Sequence, residues 1–152
     1  MIVKKNKSSV LDICFLIASS SKKSYQKLAA DYAAIEPPTW ALLLAQSCRS
    51  KGYKVNIIDA NAENLSNKEV LNRINELNPK IICLVVYGQN VNAGTTNMRG
   101  AVDISNFLKI NKKDIKIAFI GSHVQALPIE TLKKEKSIDI VFTNEGVYAL
   151  RN

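Results

Sequence analysis

The residues able to do chemistry in this chain gather in a few short strings. IEPPT (35–39), YGQN (87–90), GSHV (121–124) and TNEG (143–146) bring together Gly, Asn, Gln, Ser, His and Glu. Amides, hydroxyls and one imidazole are groups for holding a ligand by hydrogen bonds. His123 is the only histidine, and a lone histidine is more often a hydrogen-bonding loop residue than a metal ligand. Cys14, Cys48 and Cys83 each sit inside an apolar run. No two of them have the spacing of a zinc or iron–sulfur ligand set, so they read as buried free thiols in a reducing compartment, and a cytoplasmic location is expected.

The elements that must position those strings follow from the hydrophobic period. VLDICFLIA (10–18) is a short apolar run rich in β-branched and aromatic residues, hence a buried strand. Residues 19–32 are polar and rich in lysine and serine, and read as loop with a helical turn. Glu36-Pro37-Pro38-Thr39 opens a helix over 40–50, with the prolines where the first amides lack partners anyway. WALLLAQSC is apolar nearly all round, so that helix should be covered on most sides. GYKVNIIDA (52–60) is a second strand.

Ser66 and Glu69 have capping-box spacing ahead of a helix that ends near Asn78-Pro79. KIICLVVY (80–87) is apolar on both faces and belongs at the centre of a parallel sheet. Residues 88–94 read as a loop, with Thr95 or Thr96 capping a helix to about residue 109. Strands are expected at 115–120 and 138–142, and helices at 127–134 and from Glu145 onward. Strand and helix alternate throughout. That predicts an α/β, doubly wound (Rossmann-like or flavodoxin-like), five-stranded parallel sheet with helices on both faces. Ligands of such sheets sit off the carboxyl ends of the strands, where the four strings fall.

At 152 residues the chain holds one domain, expected over 10–152 behind a basic tail at 1–9. A hydrophobic share of 47% with 22% charged residues excludes a disordered chain. No apolar run approaches the ~20 residues of a membrane span. The net charge is +8, but the cations are mostly lysines in short groups without interleaved aromatics. A solvated surface explains them better than nucleic-acid binding. A dinucleotide site needs glycines after the first strand, where ASSSKKS has none, and a phosphate-binding P-loop is absent for the same reason. A phospho-acceptor domain needs carboxylates at positions held by Ala18-Ser19 and Tyr87-Gly88. A flavodoxin has the serines for a phosphate, but the loop up to Pro38 is long for it.

Three longer strings narrow the choice: IEPPTWALLLAQSCRSKGYKVNIIDA (35–60), VVYGQNVNAGTTNMRGA (85–101) and GSHVQALPIETLKKEKSIDIVFTNEG (121–146). Together they resemble the N-terminal cobalamin-binding domain of cobalamin-dependent radical S-adenosylmethionine (SAM) enzymes, in the branch of the anaerobic magnesium-protoporphyrin monomethyl ester cyclase. The resemblance implies sheet order 2-1-3-4-5 and a corrin across the strand ends. Its contacts would come from Glu36, Pro37, Pro38, Thr39, Tyr87, Gly88, Gln89, Asn90, Gly121, Ser122, His123, Asn144, Glu145 and Gly146. Gly88 and Gly121 would allow close approach of the cofactor, so a bulky residue at either should abolish binding without unfolding the domain. Ser122 stands where a second glycine is common and should narrow the pocket. Trp40 is expected in the core.

The chain departs from the Asp-x-His-x-x-Gly motif of many cobalamin domains: Ile35-Glu36-Pro37-Pro38 stands there, with no imidazole, and the radical enzymes of this branch lack the motif too. A carboxylate is a poor substitute on cobalt, so no metal ligand is assigned. The cysteines cannot hold the [4Fe–4S] cluster of radical SAM chemistry. The cluster and S-adenosylmethionine would belong to a barrel in cis or in trans, absent from this chain, whose last helix looks cut short. The implied role is binding and positioning of cobalamin, without catalysis by this chain alone. The competing reading is a flavodoxin-like binding or interaction domain that does not take cobalamin.

Overall fold

The computed structural model describes residues 11–19, 35–88 and 91–150. The basic tail, most of the 19–32 stretch, Gln89, Asn90 and the last two residues lie outside these. The elements run β1 (Ile13–Ile17), α1 (Thr39–Arg49), β2 (Val55–Asp59), α2 (Asn67–Leu77), β3 (Ile81–Val85), α3 (Val91–Asn111), β4 (Lys116–Ile120), α4 (Ser122–Ala126), α5 (Pro128–Lys134) and β5 (Ile140–Val141). The strands form one sheet in the order β2-β1-β3-β4-β5, every pairing parallel, as expected.

Alternation along the strands builds two cores. Cys14, Leu16, Ile82, Leu84, Ile117 and Phe119 face α2 and α3, meeting Val70, Ile74, Ile104 and Leu108. Their neighbours Phe15, Cys83, Val85, Ala118 and Ile120 face α1, meeting Ala41, Leu44, Ala45 and Cys48. Both faces of the central strands are therefore buried, which is why these segments are continuous apolar runs. Helix α2 starts at the expected capping box: Ser66 Oγ accepts from Glu69 N–H at 3.4 Å, and Glu69 Oε2 accepts from Ser66 N–H at 2.8 Å.

All three thiols are buried. Burial pushes Cys14 up to about 12. Burial, then the neighbouring thiols of Cys48 and Cys14, raises Cys83 further. Thiolate is the reactive form, so a disulfide reagent such as DTNB should label none of the three in the native protein and all three in denaturant. Rapid labelling of native protein at neutral pH would contradict this packing.

Several expectations need correction. Helix α3 begins at Val91 rather than at Thr95 or Thr96, so Gly94 lies inside it and not in a loop. A Cβ on Gly94 would overlap Ser122 Oγ, so the glycine lets the first turns of α3 and α4 approach. The last three residues of the GSHV string lie in helix α4, only five residues long and too short to show a period. Helix α1 is covered on one face and not on most: Leu42 and Leu43 are 51% and 54% exposed. The expected last helix is a turn over 147–150, held by Leu150 N–H donating to Gly146 O at 2.9 Å. Asp139, beside β5, accepts from Lys109 Nζ and from Ile117 N–H, both at 2.7 Å. Burial pushes its carboxyl up, but those bonds and the lysine charges bring it below its ordinary value.

Candidate functional site

In the order 2-1-3-4-5 the chain reverses direction of winding between β1 and β3, so the carboxyl ends of those strands flank the switch point. A crevice of about 20 Å³ lies there, lined by Ile17, Ala18, Val85, Val86, Tyr87 and Asn97 among others. It has room for about one water, so a larger ligand must lie across the strand ends.

Tyr87 follows β3 and is the centre of the arrangement. Its ring stacks on Trp40 in the first turn of α1, with centroids 4.4 Å apart and planes 20° from parallel. Gln125 Nε2 on α4 donates to its hydroxyl oxygen at 3.0 Å, and Asn97 Nδ2 on α3 donates to its backbone oxygen at 3.2 Å. Burial, then the charge of Glu145, raises the phenol above its ordinary value, against the lowering effect of the Gln125 bond. One residue thus ties α1, α3 and α4 together at the end of β3, with the charge of Glu145 acting on its phenol. Trp40, assigned above to the core, is half-buried at this edge. Asn97 and Gln125 were missed. A helix start placed four residues late, and a helix too short for a period, hid them.

The other residues divide. Glu36, Pro37, Pro38 and Thr39 form the approach to α1 next to Trp40. Glu36, Pro37 and Thr39 are exposed, and Thr39 N–H donates to Pro37 O at 2.8 Å. Asn144 and Glu145 are exposed, and Asn144 Oδ1 accepts from Gly146 N–H at 2.8 Å. Gly146 has φ +73°, and a Cβ there would overlap Ile120 Cδ1, so it closes the turn onto the core.

Three positions after β4 differ from expectation. Gly121 (φ +155°) packs on backbone: a Cβ would overlap the Val86 carbonyl oxygen and fall 2.6 Å from its carbon. Its smallness serves the β3–β4 contact, so a bulky residue there would disturb the fold itself. The Ser122 hydroxyl lies against Gly94 instead of narrowing the crevice, and it is buried with no hydrogen-bond partner among the described residues. His123 Nδ1 is 3.2 Å from Thr95 Oγ1, and the ring lines a separate groove of about 430 Å³ between α3 and α5, with Met98, Arg99, Val102 and Leu127.

These donors and acceptors are groups for hydrogen-bonding a ligand laid across the strand ends, and the one imidazole, His123, is turned to Thr95. Among the described residues no group of three His, Cys, Asp or Glu side chains is placed to hold a metal ion, and no helix is long and apolar enough to cross a membrane.

No curated protein sequence matches this chain. Among solved structures, the monomethylamine corrinoid protein of Methanosarcina barkeri superposes with a TM-score of 0.54 at 18% identity, over 97% of this chain and 59% of that one. This chain thus spans little more than half of the corrinoid protein, and the likeness is one of fold. A de novo designed Rossmann 2x3 protein superposes less well, with a TM-score of 0.39 at 11% identity over 88% of this chain and 79% of that one. The family profile described as the B12 binding domain matches residues 25–152. With most of its length matched, the chain belongs to the B12-binding domain family.

Proposed function

We infer that this chain binds cobalamin across the carboxyl ends of β1, β3 and β4 and presents it to a radical SAM barrel in cis or in trans. The observation that carries the reading is the cluster of Tyr87, Asn97 and Gln125 at the switch-point edge of a B12-binding fold, with the charge of Glu145 acting on the phenol. Tyr87, Gln125 and Glu145 supply donors and acceptors for the amides at a corrin's rim, and Gly88 leaves room beside them. Asn144 and Gly146 shape the turn that carries Glu145, while residues 36–39 flank the same edge. Bound cobalamin would supply methyl transfer or a related step.

The radical SAM branch is supported by the strings at 35–60, 85–101 and 121–146, and by Ile35-Glu36-Pro37-Pro38 where an imidazole-bearing motif would stand. The folding unit is taken as 10–152, with 1–9 as a tail, and the three buried thiols suit a reducing cytoplasm.

The test is titration with hydroxocobalamin, followed by gel filtration and the visible spectrum. Co-elution with a spectrum lacking imidazole ligation is expected. His123→Ala should leave that spectrum unchanged, because its ring is turned to Thr95 and the flank groove. Loss of an imidazole signature in His123→Ala would put the histidine on cobalt. Failure of the folded protein to bind would favour the interaction-domain reading.

A further inference from the structure

We propose that Tyr87 is a directed hydrogen-bond donor to a carbonyl oxygen at the ligand's rim, and that Gln125 and Trp40 are the positioning residues that aim it. A phenol has one proton to give and an oxygen that accepts. Gln125 Nε2 already occupies the accepting side at 3.0 Å. Among the described residues nothing accepts the phenol proton, so it is left for a ligand.

The ring cannot turn freely to spend that proton elsewhere. Trp40 stacks on one face at 4.4 Å, and Asn97 holds the backbone at Tyr87 O. The charged or titratable groups that face the phenol are Glu145, from the segment after β5, and Cys83 on its own strand. Burial first, then the charge of Glu145, keeps the phenol protonated, so it stays a donor through the neutral range.

The inference rests on the cobalamin reading above and adds a direction to it: the corrinoid's side-chain amide accepts here. The test measures cyanocobalamin affinity by equilibrium dialysis at pH 4.5 to 8 for wild type and three variants. Far-UV circular dichroism checks folding, and the near-UV aromatic band checks the Trp40 stack. Tyr87→Phe keeps the stack and removes the proton, and should weaken binding about five- to tenfold, the scale of one hydrogen bond.

Gln125→Glu separates aiming from packing. Ionised, its carboxylate takes the phenol proton for itself, so binding should weaken several-fold at pH 8. Protonated, it donates to the phenol oxygen as Gln125 does, so binding should recover toward the wild-type value as pH falls. Gln125→Leu should weaken binding without that pH dependence. Unchanged affinity in folded Tyr87→Phe would overturn the proposal, as would a pH-independent Gln125→Glu. If wild type binds no corrinoid, the functional reading falls and takes this inference with it. If wild type binds and Tyr87→Phe binds equally, only this inference falls.

Discussion

Gly121→Ala is expected to destabilise the domain by about 2–5 kcal/mol, from backbone strain plus overpacking at an unyielding neighbour. The new Cβ would overlap the Val86 carbonyl group, and the residue already sits at φ +155°. Main chain cannot rotate away as a side-chain tip can. Val86 N–H also donates to Ile120 O at 2.7 Å, so moving Val86 pulls on the β3–β4 pairing. Gly52 is the control, with φ +89° and nothing within 4 Å of its Cβ position. Gly52→Ala should carry only the conformational cost, about 1 kcal/mol. Urea unfolding of the two variants isolates the steric part. Equal losses in both would mean that Val86 does not press on Gly121. Any cobalamin-binding defect in Gly121→Ala has to be measured on the folded fraction.

Phe119→Ala should cost about 3–5 kcal/mol, the range for deleting a fully buried ring. Phe119 is 0% exposed on β4, beneath α3, and pairs in register with Leu84 on β3 and Val141 on β5. Its removal opens a cavity under Ile104 and Leu108, whose helix carries Asn97 to Tyr87. For a domain of this size the melting temperature should fall by roughly 6–20 °C. The urea midpoint should drop with the slope unchanged, since the unfolded chain exposes nearly the same surface. Phe119→Leu, which keeps most of the volume, should lose less than half as much. A loss under about 1 kcal/mol for the alanine variant would show that β4 is not the packed centre described here.

The sheet was legible because burial on two faces leaves a one-dimensional mark. KIICLVVY has no polar alternation, and that pattern put it at the centre of a parallel sheet, where it lies between β1 and β4. The Ser66–Glu69 box was legible because both bonds lie within four residues of chain. What failed depends on contacts distant in sequence. Gly94 looks like a loop residue until Ser122, 28 positions on, is seen against it. Leu42 and Leu43 look like core residues until the single covered face of α1 is known. The strand-end strings lie along the carboxyl edge of the sheet, Tyr87 after β3 and Glu145 after β5. The outward turn of His123 and the parts played by Trp40 and Gln125 depend on how α1, α3 and α4 pack, which spacing does not encode.

Gly94 and Ser122 occupy between them the room of one side chain. The two positions are therefore a single heritable choice. A descendant that gained a Cβ at 94 would first have to surrender the hydroxyl at 122, passing through a state with room to spare, whereas the reverse order passes through an overlap. The glycine-to-serine departure after β4 is then half of an exchange whose other half lies on a different helix. Drift at either site is governed by its partner.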